Sequence, residues 1–480
     1  MKEILAGAGM TDNSLSADVV VIGGGLAGHC SALAAAESGA TVLFLEKTGE
    51  YGGSSITAGG SFAFSGTDDQ KAAGIQDSDE LFEQDLLKAA NDRCDKALIK
   101  TYLEHQHDAH SWLKAKGVEF HKVSLSSGTS VPRTHPTNPP QLMKVLHQRV
   151  LEDSRIRWMS NAAVKRLHFR NAERRITGLE AIINNASHEI TVRRGVIITT
   201  GGFSRAPEYM ERFAPELVGA PAWGGEGNTG DGLRMALEMG ADIADTGYVT
   251  GTYGISINHY PDLNQKPGDL PYLRMANYRG AIVVNLEGRR FADESISYKK
   301  LGALTLAQSK TVAFQVFDQK IMDQSVPNPN INDFKSVLDL GIIKTAQNLR
   351  DLAAGVGIDG ATLEATVARY NADVESGSDT EFGRQTLGGG FGKPVALQTP
   401  PFYIFPCTTA VLATYCGLRI DSRSRVLNVY SEAIDGLYAA GEVTGGFHGA
   451  GYVSGSALGK AAIFGRIAGM EAAGRAPARP

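Results

Sequence analysis

Cysteine is scarce in this chain: four residues among 480, at Cys30, Cys94, Cys407 and Cys416. No two of them form a C-x-x-C pair, which removes sequence support for iron–sulfur ligation, c-type haem and structural zinc. So few thiols in so long a chain suggest a reducing compartment. An excess of one charge is missing too. Lys and Arg number 47 against 52 Asp and Glu, a net charge of −5, which does not read as a general nucleic-acid binder. Long apolar runs are also absent, and none approaches the ~20 residues a membrane-spanning helix needs. Met1 to Ala17 lacks a basic start followed by an apolar stretch, so no signal peptide is expected and a cytoplasmic location is.

What is abundant is glycine, 56 residues of 480. They sit in tight clusters with no collagen-like period, as expected where the backbone must approach something closely. The first cluster is the most informative. Asp18 to Ile22 is a short apolar run, followed by Gly23-Gly24-Gly25-Leu26-Ala27-Gly28, an Ala-rich helical stretch over 26–38, and a second strand that ends in Glu46. Gly23, Gly25 and Gly28 spell G-x-G-x-x-G between a strand and a helix. Glycine there makes the turn, admits a diphosphate to the backbone and lets the helix pack on the strand, while the helix N-terminus, with Leu26 and Ala27, faces the phosphates. Glu46 is placed to accept hydrogen bonds from an adenosine ribose.

Beyond Glu46 and Lys47 comes a second glycine and hydroxyl cluster, Gly52-Gly53-Ser54-Ser55-Ile56-Thr57-Ala58-Gly59-Gly60. It suits a flavin, whose ring needs backbone donors near its reactive nitrogen. Late in the chain, Ala439-Ala440-Gly441-Glu442 and a helix start at Ser456-Ala457-Leu458 suit the far end of the same cofactor, where a helix N-terminus would stabilise negative charge. Segments 80–116, 139–153, 361–375 and 456–472 read as helical. The texture turns rich in Pro, Asn and aromatics after about residue 247, and Gly388-Gly389-Gly390 with Pro400-Pro401 mark the return. The expected architecture is an α/β fold with an α+β cap: a Rossmann-like FAD-binding domain in two pieces, 1–247 and 417–480, with a substrate or capping domain, 248–416, inserted between them.

Some charged residues read as bland. His105, His107 and His110 read as part of a solvated helix, since His105 does not share a face with the other two, and no metal site is expected. Arg205 and Arg384 are expected at the surface. His135 follows Arg133 in a polar segment that either lines a substrate entrance or turns the chain.

Taken together, these residues resemble the fumarate reductase/succinate dehydrogenase flavoprotein superfamily, including the 3-ketosteroid dehydrogenases. The resemblance rests on Gly23–Gly28 with Glu46, Gly52–Gly60, Gly230-Asp231-Gly232, Gly288-Arg289-Arg290-Phe291-Ala292-Asp293-Glu294 and Gly441–Gly459. It implies FAD, and it extends the cofactor set to Ala163, Val164, Gly201 and Asp231. Members that attach FAD covalently use a histidine near the 52–60 segment. None stands there, so noncovalent FAD is implied.

The family's fumarate reductases carry a proton-donating arginine four residues after the motif glutamate and a carboxylate-binding arginine after the H-G-A segment. This chain has Tyr298 and Tyr452 at those places. Tyrosine cannot replace a bidentate cation, and two tyrosines resemble the ketosteroid dehydrogenase arrangement, with Gly451 to Ser456 similar to the Δ4-type enzymes. The expectation is therefore an FAD-dependent oxidoreductase acting on CH–CH groups. It would desaturate a small-molecule cyclic ketone, a 3-ketosteroid or a cyclohexanone, and pass electrons to an external acceptor. Tyr452 would polarise the ketone, Tyr298 would take the α-proton, and Ser454 and Tyr403 would assist. The alternative is reduction of an unsaturated carboxylate, as in fumarate or urocanate reductases.

Overall fold

The computed structural model describes residues 15–170, 175–264, 272–327, 331–388 and 392–474. The lead-in before Leu15 and the pair Gly389-Gly390 lie outside them. By compactness the chain forms two units. Unit 1 takes Met1–Phe213, Gly224–Val249 and Ala413–Pro480, and unit 2 takes Ala214–Trp223 and Thr250–Leu412. The short segment Ala214–Trp223 thus groups with the inserted residues, although it precedes them.

In chain order the elements used below are β1 (Leu15–Ile22), α1 (Leu26–Glu37), β2 (Val42–Leu45), β3 (Ser61–Ala63), α2 (Asp79–Ala89), α3 (Lys96–Ala115), β4 (Thr134–Pro136), α4 (Pro139–Glu152), β5 (Ile156–Met159), β6 (Ala162–Arg170), β7 (Arg175–Ile183), β8 (Ala186–Ile198) and α5 (Asp231–Glu238). There follow β9 (Val249–Ser256), β10 (Ile282–Val284), α6 (Tyr298–Leu306), β11 (Ala313–Asp318), β12 (Lys344–Ala346), α7 (Gly360–Ser376), β13 (Phe402–Thr414), β14 (Arg425–Leu427), β15 (Ala433–Ala439) and α8 (Ser456–Gly474).

Unit 1 is built on an eight-stranded sheet in the order β14-β15-β7-β8-β1-β2-β5, with β6 paired to β7. β1 lies parallel to both β2 and β8, in registers Val20↔Leu43 and Val20↔Val196. These central strands are continuous apolar runs, Val19, Val20 and Val21 among them, because both faces of the sheet are covered. Helix α1 is buried from Leu26 to Ala36. It tolerates this because alanine dominates it, and it packs against α8.

The expected helical stretch 80–116 is two helices. Asn91 and Asp92 both adopt φ +52°, a left-handed turn that asparagine and aspartate accept. Asp95 then caps α3 by accepting from the Ala97 N–H at 2.9 Å.

Unit 2 holds a five-stranded sheet, β9-β13-β11-β10 with β12 also on β13, whose β10–β11 and β11–β13 pairings are antiparallel. Its core includes Phe314, Phe317, Phe334, Ile404 and Phe405. Arg384, expected at the surface, is buried here. It donates to the Ala281 and Asn277 carbonyls and lies 3.3 Å from Glu294.

Candidate active site

The turn from β1 into α1 behaves as its glycines require. A Cβ on Gly28 would sit 2.0 Å from the Gly23 carbonyl oxygen, so nothing larger lets the helix start this close to the strand. The first intrahelical bond runs from the His29 N–H to Gly25 O at 3.1 Å. The amides of Leu26, Ala27 and Gly28 precede it and have no partner within the helix. Ser55 Oγ accepts from the Leu26 N–H at 3.0 Å. The other two amides stay at the positive end of the helix dipole, which suits a diphosphate.

Glu46 follows the end of β2, buried. Its Oε2 accepts from the Gly24 N–H at 2.7 Å, and its Oε1 accepts from the Thr48 N–H and hydroxyl at 2.8 Å each. A carboxylate offers about four lone-pair positions, so it is held in place with capacity left for ribose hydroxyls. Beside it, the Ala162 N–H donates to Glu46 O, which brings Ala163 and Val164 of β6 next to the same corner.

The second glycine cluster is tied to the loop before α5. Ser54 Oγ accepts from the Gly225 N–H and from Asn228 Nδ2, both at 3.0 Å. Lys47 Nζ lies 2.6 Å from Asp231 Oδ2 and donates to Thr229 Oγ1. Asn228 Nδ2 also reaches Glu442 Oε2 at 3.4 Å, and Glu442 accepts from the Thr414 N–H at 3.0 Å. Burial pushes the Glu442 carboxyl up. Gly53, Gly60, Gly201 and Gly441 all take positive φ, and Gly441 brings the chain after β15 against Ala27, since a Cβ on it would lie 2.9 Å from the Ala27 side chain. Thr57 donates to Ser54 O at 3.3 Å, Ala58 caps the short helix Gly53–Thr57, and Gly59 leads into β3. A bare turn does not need this set. Open helix amides, a seated acid and a glycine-lined backbone converge, and they fit FAD.

The chain belongs to the FAD binding domain family. That family's model matches residues 18–458. The chain is 34% identical to a fumarate reductase (cytochrome) of Shewanella frigidimarina over 461 residues, 95% of this chain and 77% of that one. Among solved structures it resembles the open conformation of a flavocytochrome c3 fumarate reductase, with TM-score 0.85, 28% identity, and 96% and 78% of the two chains covered. It also resembles the 3-ketosteroid-Δ4-(5α)-dehydrogenase of Rhodococcus jostii RHA1, with TM-score 0.72, 26% identity, and 96% and 97% covered. The superfamily, FAD as cofactor, and an oxidoreductase acting on CH–CH groups are thereby shown. The expected cyclic-ketone dehydrogenase is not. The 34% relative is a reductase, and the fumarate reductase structure superposes better than the steroid enzyme. Two tyrosines in place of two arginines do not outweigh the rest of the chain.

The remaining expected residues fall in different settings. Tyr452 is half-buried in unit 1, in a ring cluster with Tyr415 at 5.8 Å and His448 at 5.9 Å, themselves 5.0 Å apart. Its loop is pinned where the Ser454 N–H donates to Ser127 O at 2.9 Å and where a Cβ on Gly128 would lie 3.2 Å from Val453 Cα. Buried Ser456 starts α8, its hydroxyl donating to Val453 O at 2.7 Å, and Leu458 follows in the first turn. Sequence reasoning missed Tyr415 and the 126–129 loop, and it left His448 open between facing the flavin and a tight turn beside the cofactor. An H-G-A segment and a T-Y-C-G segment were visible, but nothing in them says that their rings meet.

Tyr298 is the first residue of α6 in unit 2, after Ser297, whose Oγ accepts from the Lys300 N–H. The phenol of Tyr278 is hydrogen-bonded to the Tyr298 main chain, and burial pushes that phenol up. Burial pushes neighbouring Lys299 down to about 8. Tyr403, by contrast, is in the unit 2 core. Its hydroxyl donates to Gln319 Oε1 at 2.6 Å and its ring stacks on Phe317 at 5.5 Å. A satisfied hydroxyl in a stacked core ring is a packing role, so the suggested assistance to the base is withdrawn. His110 is likewise buried and not solvated. Among the described residues no helix is long and apolar enough to cross a membrane.

Proposed function

We propose that this protein is an FAD-dependent reductase of an α,β-unsaturated carboxylate, adding hydride to the β-carbon and a proton to the α-carbon. The likeness to fumarate reductase over 95% of the chain carries the reading. Bound FAD supplies the two-electron hydride chemistry. The chain supplies orientation and protons. Tyr298 stands where the superfamily's fumarate reductases place their proton-donating arginine, and we assign it the α-carbon proton. An ordinary phenol keeps its proton at neutral pH, with a pKa of about 10, so it is better matched to giving a proton in a reduction than to taking one in a desaturation. Tyr452 is assigned to hydrogen-bond the substrate carboxylate, its ring held by Tyr415 and His448. Ser454 positions that loop through its main-chain bond to Ser127. Phenols donate one bond each and carry no charge, which favours a substrate with a single carboxylate over a C4 dicarboxylate.

The test is anaerobic. The FAD-loaded protein is reduced with dithionite and mixed with crotonate, urocanate and fumarate, and with a cyclic enone. Flavin reoxidation by a monocarboxylate, with formation of the saturated acid, is the expected result. Reoxidation by the enone alone would overturn the proposal.

A further inference from the structure

Asp69, His110 and His135 come from three separate stretches of unit 1, and none of them belongs to the flavin cradle. Asp69 lies in the short helix Asp68–Ala72, His110 in α3 and His135 in β4. One donor atom from each lies within 4.8 Å of the other two. The imidazoles are buried, at 5% and 0% exposure, against Phe64 and Phe120.

The hydrogen bonding of His135 leaves its Nε2 lone pair facing this point. His135 Nδ1 pairs with the Arg133 carbonyl at 2.8 Å, where the nitrogen must donate. That assigns the proton to Nδ1 and the lone pair to Nε2, which accepts from the Thr67 hydroxyl at 2.8 Å. A backbone carbonyl on the far nitrogen is the usual support of a metal-bound histidine. His110 Nε2 lies 3.0 Å from Asp69 Oδ2, paired with that carboxylate but poorly aligned for a hydrogen bond. Two donor atoms side by side at this spacing are what neighbouring ligands of one ion look like, because bonds of about 2.0–2.1 Å at tetrahedral angles place ligand atoms roughly 3.4 Å apart. The same geometry puts two ligating imidazole centres about 5 Å apart. Here they are 5.3 Å apart, with planes inclined at 61°.

We propose that Asp69, His110 and His135 form a binding site for a divalent ion of the zinc class, with two imidazole nitrogens and one carboxylate oxygen as protein ligands and solvent completing the shell. The donor set selects against magnesium and calcium, which prefer oxygen. Lys114 modulates it. Its ammonium lies 3.1 Å from Asp69 Oδ1 and is half-exposed. It orients the carboxylate, and its charge opposes a cation. The ion would tie the short helix, α3 and β4 together, replacing the Thr67 hydroxyl on His135 and the direct His110–Asp69 contact.

The experiment uses tag-free, FAD-loaded protein treated with EDTA, dialysed and titrated calorimetrically with zinc chloride, with melting temperature as a second readout. Wild type is expected to bind one equivalent and melt higher with zinc. Asp69→Asn and His110→Gln are expected to weaken binding about tenfold or more at unchanged FAD content, while Lys114→Met tightens it. The last variant keeps the test sharp should a histidine variant fail to fold. No saturable binding by wild type or Lys114→Met, or binding indifferent to Asp69→Asn, would overturn the proposal.

Discussion

The replacement of a cation by a phenol at Tyr298 and Tyr452 has consequences that can be read residue by residue. General acid catalysis by a positioned side chain contributes about 10²–10⁴-fold. Tyr298→Phe is therefore expected to lower the rate of flavin reoxidation by the best unsaturated acid by that range, with FAD content unchanged. In the proposed role Tyr452→Phe removes a carboxylate contact made before and during reaction, so its loss is expected mainly on KM. Steady-state kinetics on both variants separates the roles, and equal kcat losses in the two would contradict the assignment. A second residue reports on pH. His29 on α1 is fully buried, its Nδ1 at Gly25 O and its Nε2 at His147 Nδ1, and burial pushes its pKa down to about 3. Between that value and an unfolded value of ~6.5 the unfolded chain binds the additional proton. The stability from keeping His29 neutral is whole above pH ~6.5 and is lost as pH falls toward about 3. Urea unfolding of wild type and His29→Gln should show the wild-type advantage shrinking by about 3 kcal/mol from pH 7.5 to 4.5. A constant gap would mean that His29 is not held neutral.

At the scale of elements, the cradle depends on how closely α1 and α8 cross. Gly465 and Gly469 face α1, and Cβ atoms there would lie 2.6 Å from Ala27 O and 2.4 Å from Ser31 O. The Ser31 hydroxyl donates to Gly465 O at 2.9 Å and to Ala27 O at 2.8 Å, a link across the crossing. Gly469→Ala forces the two backbones apart, and overpacking of this kind costs about 1–3 kcal/mol. If the N-terminal amides of α1 bind the diphosphate, the expected signature is a lower melting temperature together with weaker FAD retention on gel filtration. A melting shift with undiminished retention would separate the crossing from the cradle. The β1–α1–β2 unit was legible in the sequence because its pattern is local: a valine run, spaced glycines, an alanine helix and an acid after the next strand. The break at Asn91-Asp92 was not, since both residues also occur inside helices and only the Asp95 cap reveals the restart. Tyr403 and His110 were misjudged for one reason. Whether a polar ring is solvated, packed or shared depends on Gln319, Phe317, Asp69 and His135, which are distant in sequence. Reductase and dehydrogenase readings were hardest to tell apart in the sequence, since a tyrosine can give or take a proton and its neighbours decide.

For the whole molecule, the motif Gly288–Glu294 has a job in unit 2 that its sequence does not announce. Arg290 donates to both Glu294 oxygens at 2.8 Å and to Asp379 at 3.0 and 2.9 Å, and Arg384 lies 3.3 Å from Glu294. The Arg290, Glu294 and Arg384 side chains are 0% exposed and Asp379 is 5% exposed. Glu294 also accepts from the Val283 N–H and gives its carbonyl to Asn277, so the network ties β10 to the segment that leads into α6 and Tyr298. A buried network contributes through being complete. Removing one charge leaves the others unpaired and costs about 3–5 kcal/mol. Glu294→Gln nearly preserves shape while leaving two arginines facing a neutral amide. The residues that fit FAD, by contrast, lie in unit 1, and a bound ligand stabilises the state that binds it by mass action. The two perturbations should therefore be separable in one unfolding experiment. Removing FAD should lower the denaturant midpoint reported by His29→Gln-sensitive unfolding in unit 1. Glu294→Gln in the FAD-loaded protein should lower the midpoint of unit 2, followed by amide exchange in β10 and β11, with flavin fluorescence still quenched at that point. Release of FAD at the same denaturant concentration as the loss of β10 protection would show instead that the two units unfold as one.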